Sequence, residues 1–332
     1  MPPHVLTITD PTTGSSAQIL ASLGFNCFSW QPALGGEPRE MLWAHPEFAG
    51  GRAPSAGGGG SRPSGSGIPL LFPFPGRIGG ARYSFQGRDY ALEPGDSFGN
   101  AIHGFVLNRP WQVVEHSGSR VVGEFHASRD DASILDRWPS DFRIRVSYEV
   151  RGGELVSDVR YDNPGDGPLP CGFGTHAYFR LPLADGGDAE QTRVTVPAAK
   201  IWEAKEMLPT GRRSAAAGEL NLAGGGPLAG RTFDTYFTDL QPEANGMIYT
   251  RLADSETNRS VTQSFDAAFS QCVVYTPPHR EAICLEPYTC VPDPFRLAAE
   301  GHATGLQILQ PGEKFETTIR IEVRCQAPVG GR

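Results

Sequence analysis

Between Phe142 and Glu149 apolar and polar residues change places at every step: Phe142, Ile144, Val146 and Tyr148 against Arg143, Arg145, Ser147 and Glu149. A repeat of two puts each set on its own face of an extended strand, one dry and one wet, and no helix satisfies it. The alternation returns near the C-terminus, where Ile319, Ile321 and Val323 share a face opposite Arg320, Glu322 and Arg324. Strands are predicted over 155–161, 193–196, 272–275, 282–285 and 315–323 as well. Segments 82–85 and 88–92 flank Gln86-Gly87 and read as a hairpin. Glycine (41) and proline (29) are abundant without a repeating spacing, which fits many short strands joined by turns. Residues 133–138 predict a short helix at most. The fold class that follows is all-β, a large antiparallel β-sandwich, with residues 1–332 forming one domain.

Composition excludes several functions. A formal charge of −8 with no basic block argues against a nucleic-acid partner, which requires a positive surface. No apolar run reaches the roughly 18 residues of a membrane span, and Met-Pro-Pro-His is not a charged-then-apolar leader. The six cysteines lack any C-x-x-C pair and read as reduced, packed thiols of a cytoplasmic protein. Residues 49–67, rich in Gly and Ser, predict a flexible surface loop. No Gly-Lys-Ser/Thr follows to make it a phosphate cradle. The Gly-rich stretch 223–230 is read as a second loop.

Two ionisable residues sit where strands should be buried. His176 lies in Gly174-Thr-His-Ala-Tyr-Phe179, and Glu286 lies between Ile283-Cys-Leu285 and Pro287-Tyr288. Buried charges require partners or a chemical role, and an imidazole with a carboxylate can deliver a proton to one oxygen while taking it from another. Four further segments place polar groups at turns or strand ends. They are the proline-stiffened run 67–78 carrying Arg77, the run 100–105 carrying His103, the run 233–237 carrying Asp234, and Pro292-Asp293-Pro294-Phe295. Singly, Arg77 reads as a salt-bridge residue, His103 as a structural histidine and Asp234 as a turn cap. His116, His126, His279 and His302 carry no functional signal. His103, His176, Asp234 and Glu286 offer nitrogen and oxygen ligands, but none shows the short spacing of a metal motif, so no metal is expected. No G-x-S-x-G elbow supports a serine hydrolase.

Taken in order, these runs resemble the aldose 1-epimerase (galactose mutarotase) family. The carriers are Gly67–Ile78, Ile102-His-Gly-Phe105, Pro168–Phe179, Thr232-Phe-Asp-Thr235, Leu285-Glu-Pro-Tyr-Thr289 and Leu309-Gln-Pro-Gly-Glu313. The resemblance implies a galactose mutarotase-like supersandwich, a free aldohexose such as glucose or galactose as small-molecule substrate, and no cofactor. It implies His176 as general acid and Glu286 as general base, facing each other across a cleft, with Arg77, His103 and Asp234 binding the sugar. Neighbouring negative charge, from Glu286 or Asp234, is expected to raise the His176 pKa toward neutrality. Trp30, Phe74, Tyr178 and Tyr236 are candidates to stack on the sugar. Two positions depart from the family pattern. Gly76 stands where an Asn often precedes the arginine. Val273 stands where a sugar-binding Gln is common, with Gln271 on the same strand face as a candidate substitute. Two alternatives stay open: a carbohydrate-binding protein without turnover, and an epimerase of phosphorylated hexoses. The second would draw basic groups from Arg62, Arg82, Arg88 and Arg109.

Overall fold

The computed structural model describes residues 5–34, 38–49 and 63–325. Most of the period-two runs assemble into two large antiparallel sheets. The first has nine strands. Its centre is Lys314–Cys325 between Arg259–Asp266 and Glu154–Asp162, followed outward by Arg143–Arg151, Arg120–His126 and Gln112–His116. Ile144 faces Tyr161 and Val146 faces Val159 across one pair of strands, while Leu155 faces Ile321 across the next. The inward residues of successive strands therefore fall on one side, as the alternation requires.

The second sheet runs through Leu208–Ala215, Ala198–Lys205, Asp234–Leu240, Gln271–Tyr275 and Ala282–Tyr288. Beyond Ala282–Tyr288 lie Gly174–Thr175 and Ala177–Arg180, which both pair with it on either side of His176. Side chains of both sheets, among them Ile144, Tyr161, Ile321, Phe179, Ile283 and Leu285, meet in one buried core. That is a β-sandwich, all-β and antiparallel as the pattern demands.

Several boundaries differ from the sequence reading. The hairpin is Arg82–Phe85 with Arg88–Ala91, and Gln86 and Gly87 both have positive φ (50° and 77°), as a tight two-residue turn requires. The short helix is a 3-10 turn, Ala132–Asp136. Within 223–230, Gly226–Pro227 pairs with Arg193–Thr195 as an edge strand. Of the stretch 49–67, residues 50–62 lie outside the described residues. Its end is built into the fold: Pro63–Gly65 is a 3-10 turn, Ser66 is buried, and Gly67 donates to Trp43 and accepts from Tyr178. All six cysteines are unpaired; five are buried and Cys325 is exposed. No helix among the described residues is long and apolar enough to cross a membrane.

Candidate active site

Ala282–Tyr288 explains why the carboxylate is where it is. All seven of its residues are buried, so the strand has no wet face. Odd positions Ile283 and Leu285 enter the core. Even positions Cys284, Glu286 and Tyr288 turn to the opposite side, where Glu286 and Tyr288 wall a cleft of about 250 Å³. Arg77, His103, His176 and Asp234 line the same cleft. The structure thus brings together all five residues singled out from the sequence.

His176 and Glu286 do not face each other across the cleft. They are neighbours on one wall, with Nε2 of His176 3.2 Å from Oε1 of Glu286. The cause is topological: Ala177–Arg180 pairs directly with Ala282–Tyr288, so the residue before Ala177 emerges beside the residue after Leu285. Glu286 is 2% exposed and His176 7%. Its other oxygen, Oε2, accepts a short hydrogen bond from the Tyr288 hydroxyl. Nδ1 of His176 is buried without a hydrogen-bond partner, and its ring stacks parallel on Tyr178 at 4.7 Å.

The expected rise in the His176 pKa is overturned. Burial, helped by the positive charge of Arg77, pushes His176 down to about 3. Burial pushes Glu286 well above the usual carboxylate range, against the opposing pull of the Tyr288 hydrogen bond and Arg77. Desolvation penalises the charged form of each group, and in this dry wall it outweighs the attraction of the neighbouring charge. The two groups therefore hold one proton between them over a wide pH range, and are best treated as a coupled pair.

Arg77 is fixed from three sides. Its Nε donates to Asp96 at 2.9 Å and its Nη1 to the Tyr236 hydroxyl at 3.2 Å, while its carbonyl accepts from Asp293. Asp293 also accepts from Gly79, so the rigid 292–295 turn buttresses the arginine segment. His103 sits at φ 65° and accepts at Nδ1 from the Gly76 amide at 3.2 Å. That bond leaves Nε2 to carry the proton, and burial, helped by the positive charge of Arg77, holds the ring's pKa well below its ordinary value. Asp234 is exposed to solvent in the cleft, with its carboxyl raised by the walls around it.

Both departures from the family pattern have physical reasons or consequences. Gly76 has φ +67°, and a Cβ there would lie 2.5 Å from Pro292, so an asparagine does not fit this backbone. Val273 lines the cleft directly across the strand pair from Glu286. Gln271 does not replace it: its side chain is tied to the Trp202 indole at 3.0 Å and to Ser270, away from the cleft. Of the stacking candidates, Tyr178 and Tyr236 line the cleft, whereas Trp30 and Phe74 are core residues. Sequence reading missed Trp43, Tyr275, Tyr288 and His279, all in the cleft wall. His279, read as carrying no function, stacks on Trp43 at 4.0 Å. The one usable signal was the period of two from Glu286 to Tyr288; Trp43 lies far away in sequence with nothing to mark it.

The chain is 27% identical to the Escherichia coli protein YphB over 145 residues, 41% of this chain and 42% of that protein. It is 27% identical to galactose mutarotase of Rattus norvegicus over 136 residues, 41% of this chain and 38% of that enzyme. These alignments thus span about two fifths of either relative. A galactose mutarotase-like protein from Clostridium acetobutylicum superposes with a TM-score of 0.82 at 20% identity, covering 98% of this chain and 99% of the other. The family model for aldose 1-epimerase matches residues 61–322, and the chain belongs to that family.

Proposed function

We propose that this protein is a mutarotase that interconverts the α and β anomers of a free aldohexose, glucose or galactose, by acid–base opening of the pyranose ring. The observation that carries this reading is the 3.2 Å contact of His176 and Glu286 in the cleft wall. The hydroxyl and ring oxygens of a hemiacetal are bonded to the same carbon, so an acid and a base side by side can reach both. With the pair's single proton shifted across the 3.2 Å contact onto His176, Glu286 as carboxylate takes the proton of the C1 hydroxyl, and His176 gives its proton to the ring oxygen as the C1–O5 bond breaks. Rotation about C1–C2 presents the other face of the aldehyde. On reclosure the two groups exchange roles, and the pair ends with the single proton it began with. The Tyr288 hydroxyl and Arg77 favour the carboxylate form of Glu286 at the moment it must act as base. Arg77 and Nε2–H of His103 would donate to sugar oxygens, Asp234 would accept from hydroxyls, and Tyr178 and Tyr236 offer ring faces to the C–H side.

The charge of the cleft favours a neutral sugar over a phosphorylated one. Among the described residues Arg77 is the single guanidinium lining it, and no lysine does. Arg82 and Arg88 are on the surface, Arg109 is paired with Asp131, and Arg62 lies outside the described residues. Anomer exchange followed by polarimetry or NMR tests the proposal: the purified protein should accelerate freshly dissolved α-glucose or α-galactose well above buffer, and glucose 6-phosphate far less. Sugar binding with no acceleration would replace this reading by that of a non-catalytic carbohydrate-binding protein.

A further inference from the structure

We propose that Cys284 completes, with His176 and Glu286, a site for one thiophilic divalent cation, Zn²⁺ or Cd²⁺, and that its occupation blocks the cleft. The blocking rests on the mutarotase reading; the binding does not. Cys284 and Glu286 are two apart on one strand and so turn to the same side. Tyr178 is in register with Cys284, which brings His176, two residues before it and stacked on its ring, beside the pair. One ligand atom from each of the three residues lies within 4.8 Å of the others, and all three are buried.

The spacing suits a tetrahedral ion. Zinc holds imidazole nitrogen and carboxylate oxygen at roughly 2.0–2.1 Å and thiolate sulfur at about 2.3 Å. Two such short arms at the tetrahedral angle end about 3.3 Å apart, close to the 3.2 Å between His176 and Glu286. The longer arm falls to the Cys284 sulfur, which lies within 4.8 Å of the other two ligand atoms. Charge also balances: one thiolate and one carboxylate cancel a divalent cation, so the occupied site buries no net charge. The fourth position would take water, and the hydrated ion would occupy the space the sugar needs beside His176 and Glu286. This set differs from the one weighed from sequence, because pairing alone brings Cys284 beside His176.

The test uses the full chain carrying Cys325→Ala, which removes the exposed thiol. Added Cd²⁺ should bind at one ion per chain and give the ultraviolet charge-transfer absorption of a cadmium thiolate. Cys284→Ala, with Cys284→Ser as a second variant against misfolding, should abolish that absorption. Zn²⁺ should inhibit anomer exchange competitively with sugar, and loss of Cys284 should weaken the inhibition by about ten-fold or more, with the metal-free rate unchanged. Equal absorption or equal zinc sensitivity with and without Cys284, or no cadmium–thiolate band at all, overturns the proposal. If the protein shows no anomer exchange, the cadmium titration still decides the site, so the two readings fail separately.

Discussion

Two faces of this sandwich carry charged residues on strands, and they treat them in opposite ways. On the outer face of the nine-stranded sheet most side chains are polar, and the arginines that pair there reach water. Arg143 meets Asp162 at 2.8 Å, Arg145 meets Glu124, Arg160 approaches Glu316 at 3.7 Å, and Thr318 donates to Asp158 at 2.8 Å. Each carboxylate there, even the buried Glu124 and Asp162, has a guanidinium or hydroxyl partner with access to water, and the exposed pairs contribute little. On the cleft face of the other sheet the charges are few, and Glu286 and His176 are dry. Glu286 and His176 touch, yet burial drives each toward its neutral form. Strand position alone does not make a side chain reactive. Removal from water does, because it moves the proton affinities of acid and base into a range where one proton can pass between them.

The largest expected effect separates the two faces outright. Glu286→Gln or His176→Asn should lower the catalysed rate of anomer exchange by about 10²- to 10⁴-fold each, with far-ultraviolet circular dichroism unchanged. A variant of either kind with the wild-type rate removes that residue from the chemistry.

The pH behaviour of the pair comes next. Activity requires one proton on the two groups together. It should fall as acid titrates His176 near its value of about 3, when no base is left. It should fall again as pH rises through the raised folded value of Glu286, when the pair loses its proton. Stability sharpens the same point. The folded pKa of His176 is depressed below its ordinary 6.5, so its contribution is present above 6.5 and is lost as pH falls toward 3. That of Glu286 is raised above 4.5, so its contribution is present below 4.5 and is lost as pH rises through the folded value. In the wild type the two slopes oppose each other between 4.5 and 6.5. Glu286→Gln should therefore lose Tm on acidification below about 6.5, and His176→Asn should lose Tm as pH rises above about 4.5. Parallel Tm profiles for the two variants would show that burial does not set these proton affinities.

The contrast between faces also explains what could be read from sequence. The wet face announces itself, since only a half-exposed strand alternates as 142–149 and 319–324 do. Both ends of that reading survive in Arg143–Arg151 and Lys314–Cys325. The cleft strand Ala282–Tyr288 has two dry faces and no alternation to betray a direction; there the signal was a carboxylate among residues that should be apolar. Arg77, His103 and Asp234 were marked by motif order rather than by local physics. Trp43 and Asp96 had no mark, because their roles exist only once distant segments meet. The direction of the His176 shift was misjudged for a related reason: neighbouring charge is visible in a residue list, whereas the depth of burial is not.

Smaller effects test where polar groups on the second sheet belong. Gln271 was the candidate substitute for a sugar ligand, yet its oxygen accepts from the buried Trp202 indole. Gln271→Ala should cost about 1–3 kcal/mol of stability by leaving that N–H unpaired, with the KM for hexose unchanged. A selective rise in KM would instead put Gln271 in sugar binding. Val273→Gln, which adds an amide to the cleft, should lower KM by about two- to ten-fold with kcat little altered.

The smallest effect is expected on the outer face, and it closes the comparison. Arg145 is about half exposed on its side chain and shares Glu124 with Arg129, whose guanidinium donates to the other carboxylate oxygen at 2.6 Å. Arg145→Gln leaves the buried Glu124 carboxylate its bond from Arg129 and offers it the glutamine amide in place of the lost guanidinium. The cost should stay within about 1 kcal/mol, with anomer exchange untouched. Chemical denaturation and polarimetry on the same sample measure both quantities. A loss of activity from this position would mean that the two faces are coupled through the core, and that burial at the cleft is not by itself what sets the chemistry there.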